Sequence, residues 1–483
     1  MRARKKQATQ GPVEGKWDLP AGWEWKRLGE VCSYIQRGKS PKYTDNSGIP
    51  VINQKCIRWD ALQIEYAKYT LQSSLSDEFR FVRPGDILWN STGTGTIGRA
   101  YCVRHIAKSF VVDSHVTILR CSNNISASFL YYFIMSPFVQ RKIEDMQSGS
   151  TNQVELSKAA ICDLAIPLPP TVQDQERIVE RIDRLFAELD KAEETLRHTI
   201  TLCEQYKQSV LKAAVTGELS KEWRKANPPT ETGKQLLQRI LKERRTAWEK
   251  AELAKMTAKG QKPANDNWKK KYKEPQAPDT SGLPELPEGW TWATFPQLGE
   301  FGRGKSKHRP RDDARLYGGD YPFLQTGTVR ASNGMITTYD NTYSDFGLAQ
   351  SKLWPKGTVC ITIAANIANS GILTFSACFP DSIVGLVPHS DINVHYIECF
   401  IRTAQKNLDR YAPATAQKNI NLEILESVAI PMPPKDEQFF LAKLLEQHLE
   451  DVNGTKELCQ KERLRCAALR QSILKQAFTG QLT

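Results

Sequence analysis

Three glycines, Gly93-x-Gly95-x-x-Gly98, follow the strand-like run DILWNS, and an acidic residue, Asp113, lies 20 positions past Gly93. In a dinucleotide site this spacing seats a pyrophosphate on a helix N-terminus and a ribose on the acid. The segment after these glycines, RAYCVRH, is strand-like, whereas phosphate binding needs a helix to open there. A glycine loop joining two strands is therefore expected. Eleven cysteines are scattered without a CxxC pair, and seven histidines lack ligand spacing. The expectation is reduced, mostly buried thiols and no metal site. No HExxH or GxSxG occurs.

Asn227-Pro228-Pro229-Thr230 comes near the NPPY of amino-methyltransferases, but the aromatic that stacks on a flipped base is absent. It also lies in a charged linker with no loop for S-adenosylmethionine, so the chain is expected to catalyse nothing itself. Its formal charge of +12 and pI near 9.0 instead suggest a polyanionic partner. The excess sits mainly in residues 1–16 (net +4) and 220–285 (net +7), where solvated linkers are the competing reading. No apolar run reaches the ~18 residues of a membrane span, and none backs the basic N-terminus as in a secretory signal.

The elements that position these residues occur twice. LPAGWEWKRLGEV from Leu19 returns as LPEGWTWATFPQLGEF from Leu286, and RGKS at Arg37–Ser40 returns at Arg303–Ser306. GIPVINQ (48–54) resembles DYPFLQT (320–326), and RPGDIL (83–88) resembles PKGTVC (355–360). LAIPLPP (164–170) returns as VAIPMPP (428–434), and SVLKAAVTGEL (209–219) as SILKQAFTGQL (472–482). Six blocks in one order define a duplicated unit of about 200 residues with a spacer near 65. With 483 residues, the chain is long enough for about three domains.

Each unit begins with an α+β globule of short strands punctuated by Gly, Pro and Asn, with helical patterns over ASFLYYFIMSPFVQRKIEDM and NVHYIECFIRTAQKNLDRY. A long helix follows. Its apolar seam, Ile178, Ile182, Leu185, Leu189, Leu196 and Val210, keeps heptad spacing, and Gly217 suits its C-cap. The second copy aligns without a gap from Gln438, with Leu441, Leu445, Val452, Leu469 and Ile473 on a poorer seam interrupted by His448, Glu462 and Gln476. Asn453-Gly454 is unfavourable within it by about 1 kcal/mol. A 45-residue helix spans ~68 Å, more than one such globule, so the two helices are expected to pair as a coiled coil. The spacer holds one more helix from Gly233 and then a Lys-, Pro- and Gly-rich stretch expected to be a mobile linker.

On the duplicated LPxGW openings, the GK-S and GTIGR loops, the IPLPP and IPMPP junctions and the LKxAxTGxL helix ends, the chain resembles the specificity subunit of type I restriction–modification enzymes over nearly its whole length. The resemblance implies an α+β protein with two pseudo-two-fold-related α/β target-recognition domains separated by a long antiparallel coiled coil. The parts would be a basic tail (1–16), recognition domain 1 (17–168), coiled-coil helix 1 (169–219), a central region (220–285), recognition domain 2 (286–432) and coiled-coil helix 2 (433–483). Each domain would read one half of a bipartite asymmetric duplex DNA site. The coiled coil would set their spacing and dock two methyltransferase (modification) subunits and, through them, restriction/translocase subunits. S-adenosylmethionine would then belong to the modification subunits and ATP and Mg to the restriction subunits, with no cofactor in this chain, no membrane and a bacterial or archaeal cytoplasmic setting. A coiled-coil scaffold that reads no DNA is the alternative.

Residues able to hold base edges or phosphates on matched loops are the DNA-binding candidates. In the first copy these are Arg37, Lys39, Ser40, Lys42, Arg99, Thr151, Asn152 and Gln153. In the second they are Arg303, Lys305, Ser306, Lys307, Arg309, Arg311, Gln417, Lys418 and Asn419. Trp23, Trp25, Trp290 and Trp292 are expected in the core, since duplex DNA requires no stacking platform.

Overall fold

The opening LPxGW motif and the closing IPxPP motif of each copy recur because they pair with each other. In a computed structural model, β1 (Glu24–Arg27) runs antiparallel to β9 (Ala165–Leu168), with Trp25 opposite Pro167. In the second copy β10 (Thr291–Ala293) pairs with β16 (Ile430–Met432), with Trp292 opposite Pro431. The structure describes residues 17–45, 47–59, 61–75, 81–106, 108–148, 154–261, 263, 265–364, 368–410 and 421–482, the side chains of 406–410 aside. They form two units, the first from residues up to His198 plus Leu458 onward, the second from Thr199 to Glu457.

In the first unit, β2 (Cys32–Arg37), β8 (Val116–Cys121), β5 (Asp86–Asn90) and β6 (Ala100–Cys102) lie in that order in an antiparallel sheet. A second sheet holds β4 (Lys68–Thr70), β3 (Ile49–Ile52) and β7 (Val111–Val112). The expected helix over 127–146 is broken: α1 (Ala127–Met135) stops at Ser136, because Pro137 starts a new turn and biases the residue before it away from helix. Phe129 and Phe133 of α1 meet Phe478 at 5.1 Å in the core.

In the second unit, β11 (Gly299–Arg303), β15 (Ile383–Pro388), β13 (Val359–Thr362) and β14 (Ser370–Leu373) repeat this strand order. A parallel edge strand, β12 (Gly334–Ile336), is added beyond β14. The helix expected near residue 394 is α5 (Val394–Arg410).

The long helices are α2 (Val172–Val215) and α6 (Lys435–Phe478). Both cross the boundary between units, and within each unit their segments run antiparallel. In the first, Ile178 and Ile182 share a core with Leu474 and Phe478, while Arg470 pairs farther along with Asp190 and Glu193. In the second, Val210 packs with Leu441 and Leu445, Tyr206 meets His448 at 3.0 Å, and Lys456 pairs with Glu204. Leu185, Leu189, Leu196 and Ile473 are half-buried and Val452 is buried. One seam residue is corrected: Leu469 is 42% exposed. Arg470 takes the inward place, reaching the two carboxylates and lying 5.1 Å from the Phe186 ring. The seam of α6 instead steps by sevens through Leu445, Val452, Cys459, Cys466 and Ile473, and a hydropathy pattern prefers Leu to Cys at such places. The helix runs through Asn453-Gly454 without a break.

Matched side chains fasten each globule to its helix. Gln175 accepts the N–H of Ser126 at 2.8 Å and donates to the Asn124 carbonyl. Gln438 likewise accepts the N–H of Asn393 at 2.9 Å. Gly217 and Gly480 take φ of +73° and +71° as C-caps, and a Cβ there would lie 2.5 Å from Pro287 and 2.1 Å from Pro20. Glu437, buried, accepts from Ser220, Arg224 and the Trp290 indole at 2.6–2.9 Å.

The central region differs from its expectation. α3 (Lys221–Ala226) and α4 (Gly233–Ala258) are followed by a turn over Asp266–Lys271. That stretch is not a loose linker: Trp268 and Tyr272 pack on Trp248, and Arg245 pairs with Glu274. Aromatic burial outweighs the flexible composition.

Candidate nucleic-acid interface

Antiparallel order gathers the variable loops at one end of each sheet. In the first unit, Arg37 lies opposite Thr117 and Asn90 opposite Val116, so the segments after β2, after β5 and before β8 emerge together. The first of these is held close: a Cβ on Gly38 would lie 2.0 Å from the Val112 carbonyl. Ser40 meets Ser114 at 3.0 Å, and the Lys42 carbonyl accepts from Thr70 at 2.8 Å. Lys39 and Lys42 are exposed. Arg37 is engaged within the loop cluster, pairing with Glu155 at 2.9 Å and donating to the Leu156 carbonyl.

Gly93, Gly95 and Gly98 all have positive φ and join β5 to β6, a strand pair, so no helix N-terminus is present to hold a phosphate. Gly93 serves close approach, since a Cβ there would fall 2.2 Å from Oε1 of Gln54. That oxygen accepts from Thr96 at 3.1 Å. Arg99 donates to the Gly95 carbonyl at 2.7 Å, and its Nε is buried without a partner. Asp113 accepts its own loop's N–H from His115 at 2.9 Å. Burial pushes its carboxyl up from the usual range, opposed by that hydrogen bond and by the His115 and Lys68 charges. Gln54, His115 (2.7 Å from Thr92) and Lys68 (4.4 Å from the Tyr43 ring) join this end of the domain. Sequence reasoning missed these three; only Gln54, closing the repeated GIPVINQ block, carried a signal.

In the second unit, Arg303 lies opposite Val384 and Thr362 opposite Ile383, so the loops again share one end. The Lys305 N–H meets the Phe379 carbonyl at 3.0 Å, and Ser306 is buried 3.4 Å from the Tyr343 hydroxyl. Gln350 accepts from the N–H groups of Lys307 and His308. Arg309 donates to the Ser306 and His308 carbonyls, and Arg311 pairs with Asp381 at 3.3 Å. Arg315 and His308 hold the Asp313 carboxyl well below its usual range. Arg303, Lys305 and Lys307 present exposed cations with no ion-pair partner among the described residues. The structure thus brings the matched loops together in both copies. Thr151, Asn152 and Gln153, and Gln417, Lys418 and Asn419, lie outside the described residues.

Among the described residues no cluster of His, Cys, Asp or Glu could hold a metal, and no helix is long and apolar enough to cross a membrane. Such an arrangement of cations and amides is suited to gripping a polyanion and reading base edges.

Solved structures share this fold. One, from a study of complex assembly and conformational transition in the type I R-M system, has TM-score 0.68 at 18% identity, covering 96% of this chain and 100% of that one. The HsdS subunit from Thermoanaerobacter tengcongensis has TM-score 0.58 at 17% identity, covering 97% and 100%. In sequence, the specificity subunit of the type I restriction enzyme EcoKI from Escherichia coli (strain K12) is 22% identical over 480 residues, covering 96% of this chain and 90% of its own. That of EcoDI from Escherichia coli is 23% identical over 472 residues, with the same coverage. The class these features define is a duplicated recognition protein, two α+β globules carried on long paired helices.

Residues 20–202 and 287–461 match the type I restriction modification DNA specificity domain, and the chain belongs to that family. It is a DNA specificity subunit of a type I restriction–modification system, a non-catalytic subunit that works with DNA and with methyltransferase and restriction partners.

Proposed function

We propose that each globule reads its own half of a split, asymmetric duplex site through the loops at one end of its sheet. The domains are residues 17–168 and 286–432; 169–219 and 433–483 carry the spacer helices, 220–285 the central region, and 1–16 a basic tail. The observation that carries this reading is the matched gathering of the RGKS loops with the loops after β5 and after β13. The two loop sets differ in sequence, so the half-sites differ. Lys39, Lys42, Arg303, Lys305 and Lys307 serve phosphates, and the more tightly held Gln54, Arg99 and Arg309 serve base edges or order the loops.

Two modification subunits dock on the helices and supply S-adenosylmethionine and the methyl transfer. Restriction subunits add ATP- and Mg-dependent steps, and the assembly works in the cytoplasm. Replacing residues 17–168 by the equivalent part of a relative, followed by sequencing of host methylation, tests the reading. One half-site should change and the other persist. A swap that altered both, or neither, would refute it.

A further inference from the structure

The two copies differ at one matched place. In the second unit, the junction of the IPMPP turn with the start of α6 is covered by the chain's own α3. Trp223 stacks on Phe440 at 4.8 Å, and Arg224 pairs with Glu437 at 2.6 Å. The first unit builds the same junction from Trp23, Pro170, Asp174 and the start of α2, with Leu482 at the end of α6. No described residue covers it, and it is a groove of about 610 Å³.

The chemistry of its wall has also changed. The gapless helix alignment sets Phe440, Lys443, Leu444 and Gln447 against Arg177, Glu180, Arg181 and Arg184. Phe440, Leu444 and Gln447 give way to three arginines at helical spacing, while Lys443 gives way to Glu180, which also lines the groove. Arg177 is 78% exposed and meets Asp174 at 3.3 Å. Arg181 and Arg184 are exposed and have no ion-pair partner among the described residues. A copy of α3 is the wrong occupant, since its Lys221, Arg224 and Lys225 would face three guanidinium groups. Residues 1–16 are unsuited for the same reason, with five basic residues to one acidic.

We infer that this groove takes a short helical segment of a modification subunit, with an aromatic residue against Trp23, Pro170 and Leu482 and carboxylates facing Arg177, Arg181 and Arg184. The inference rests on the reading that modification subunits dock on the helices, and it makes the two copies unlike: the first offers an electrostatic groove where the second is closed by α3, so the second subunit must dock elsewhere on the helices. Arginine suits this work because its planar fork grips carboxylates bidentately.

The test uses the full chain co-purified with its modification subunit. Light scattering after gel filtration gives the stoichiometry, and titration of the chain with modification subunit gives the affinities. The double variant Arg181→Glu/Arg184→Glu changes only exposed side chains. Lys443→Glu, at an exposed position on the matched stretch of α6 in the second unit, is the control. Expected are two modification subunits on the natural chain and on the control. The double variant should lose affinity at one site by about tenfold or more, with that site's salt dependence flattened. Natural chain that bound no modification subunit would defeat the docking reading itself. Natural chain that bound two, with the double variant unchanged, would overturn only the groove assignment. A chain starting at Trp17 should bind as the natural one does. A tenfold gain on that deletion would show the basic tail seated in the groove and would also overturn it.

Discussion

Two glycine-to-alanine changes, one within α6 and one at its C-cap, should move stability in opposite directions. Gly454 lies in mid-helix, and a Cβ there meets nothing within 4 Å. Alanine removes the backbone entropy cost of glycine, a gain of about 0.5–1 kcal/mol. Gly480 is held at φ +71°, where a non-glycine residue costs roughly 1–2 kcal/mol. Its Cβ would also lie 2.1 Å from Cγ of Pro20, so the helix end or the proline ring must shift, at about 1–3 kcal/mol. The net loss is about 2–5 kcal/mol. Gly480 belongs to the first unit and Gly454 to the second, so each change should shift its own unit's melting. At roughly 2–4 °C per kcal/mol, Gly480→Ala should lower one calorimetric transition by about 4–20 °C, and Gly454→Ala should raise the other by about 1–4 °C. Amide hydrogen exchange assigns each transition to its unit. Equal shifts, or a neutral Gly480→Ala, would refute the capping argument.

Glu437→Ala strands Arg224 and the Trp290 indole and should cost about 3–5 kcal/mol in urea unfolding, with Glu437→Gln costing less. Asp391, paired with Lys435 and Arg239, has its carboxyl held down to about 2. A depressed folded value adds stability that is complete above the unfolded carboxylate value of about 3.9 and is lost as pH falls from about 4 toward 2. Acid titration of Asp391→Asn should therefore show a shallower loss over that window. Lys42→Ala should weaken duplex binding for all sequences alike and reduce the slope of log affinity against log salt by about one; a change confined to one base position would contradict a phosphate role.

The duplication, the long helices and the α+β globules were legible because each repeats a spacing: matched blocks for the copies, heptads for the helices, Gly–Pro punctuation for the strands. The reading loops were legible only as matched basic loops. His115 and Lys68 come to the same end through strand order, which a linear pattern does not contain. Arg37 looked free in sequence, yet its partner Glu155 lies 118 positions away. Leu469 misled because side-chain hydropathy outranked Cys466 on paper, while the ion pairs of Arg470 decide which face of α6 turns inward. The Lys-rich stretch after α4 read as loose because three aromatics spread over two segments, Trp248, Trp268 and Tyr272, show no periodicity.

The helix pairing also sets an order of completion during synthesis. Some 220 residues separate Val215, where α2 ends, from Lys435, where its partner begins. At about 5–20 residues per second the ribosome needs roughly 10–45 s to cross that gap. Through that interval Ile178, Ile182, Leu185 and Leu189 have no α6 to cover them. The first globule also lacks Leu474, Phe478 and Leu482, which lie in its core. The half translated first is thus the half finished last. Neighbouring ribosomes on one message would carry bare seams side by side, and the time of greatest exposure to mispairing would fall before the second globule is complete.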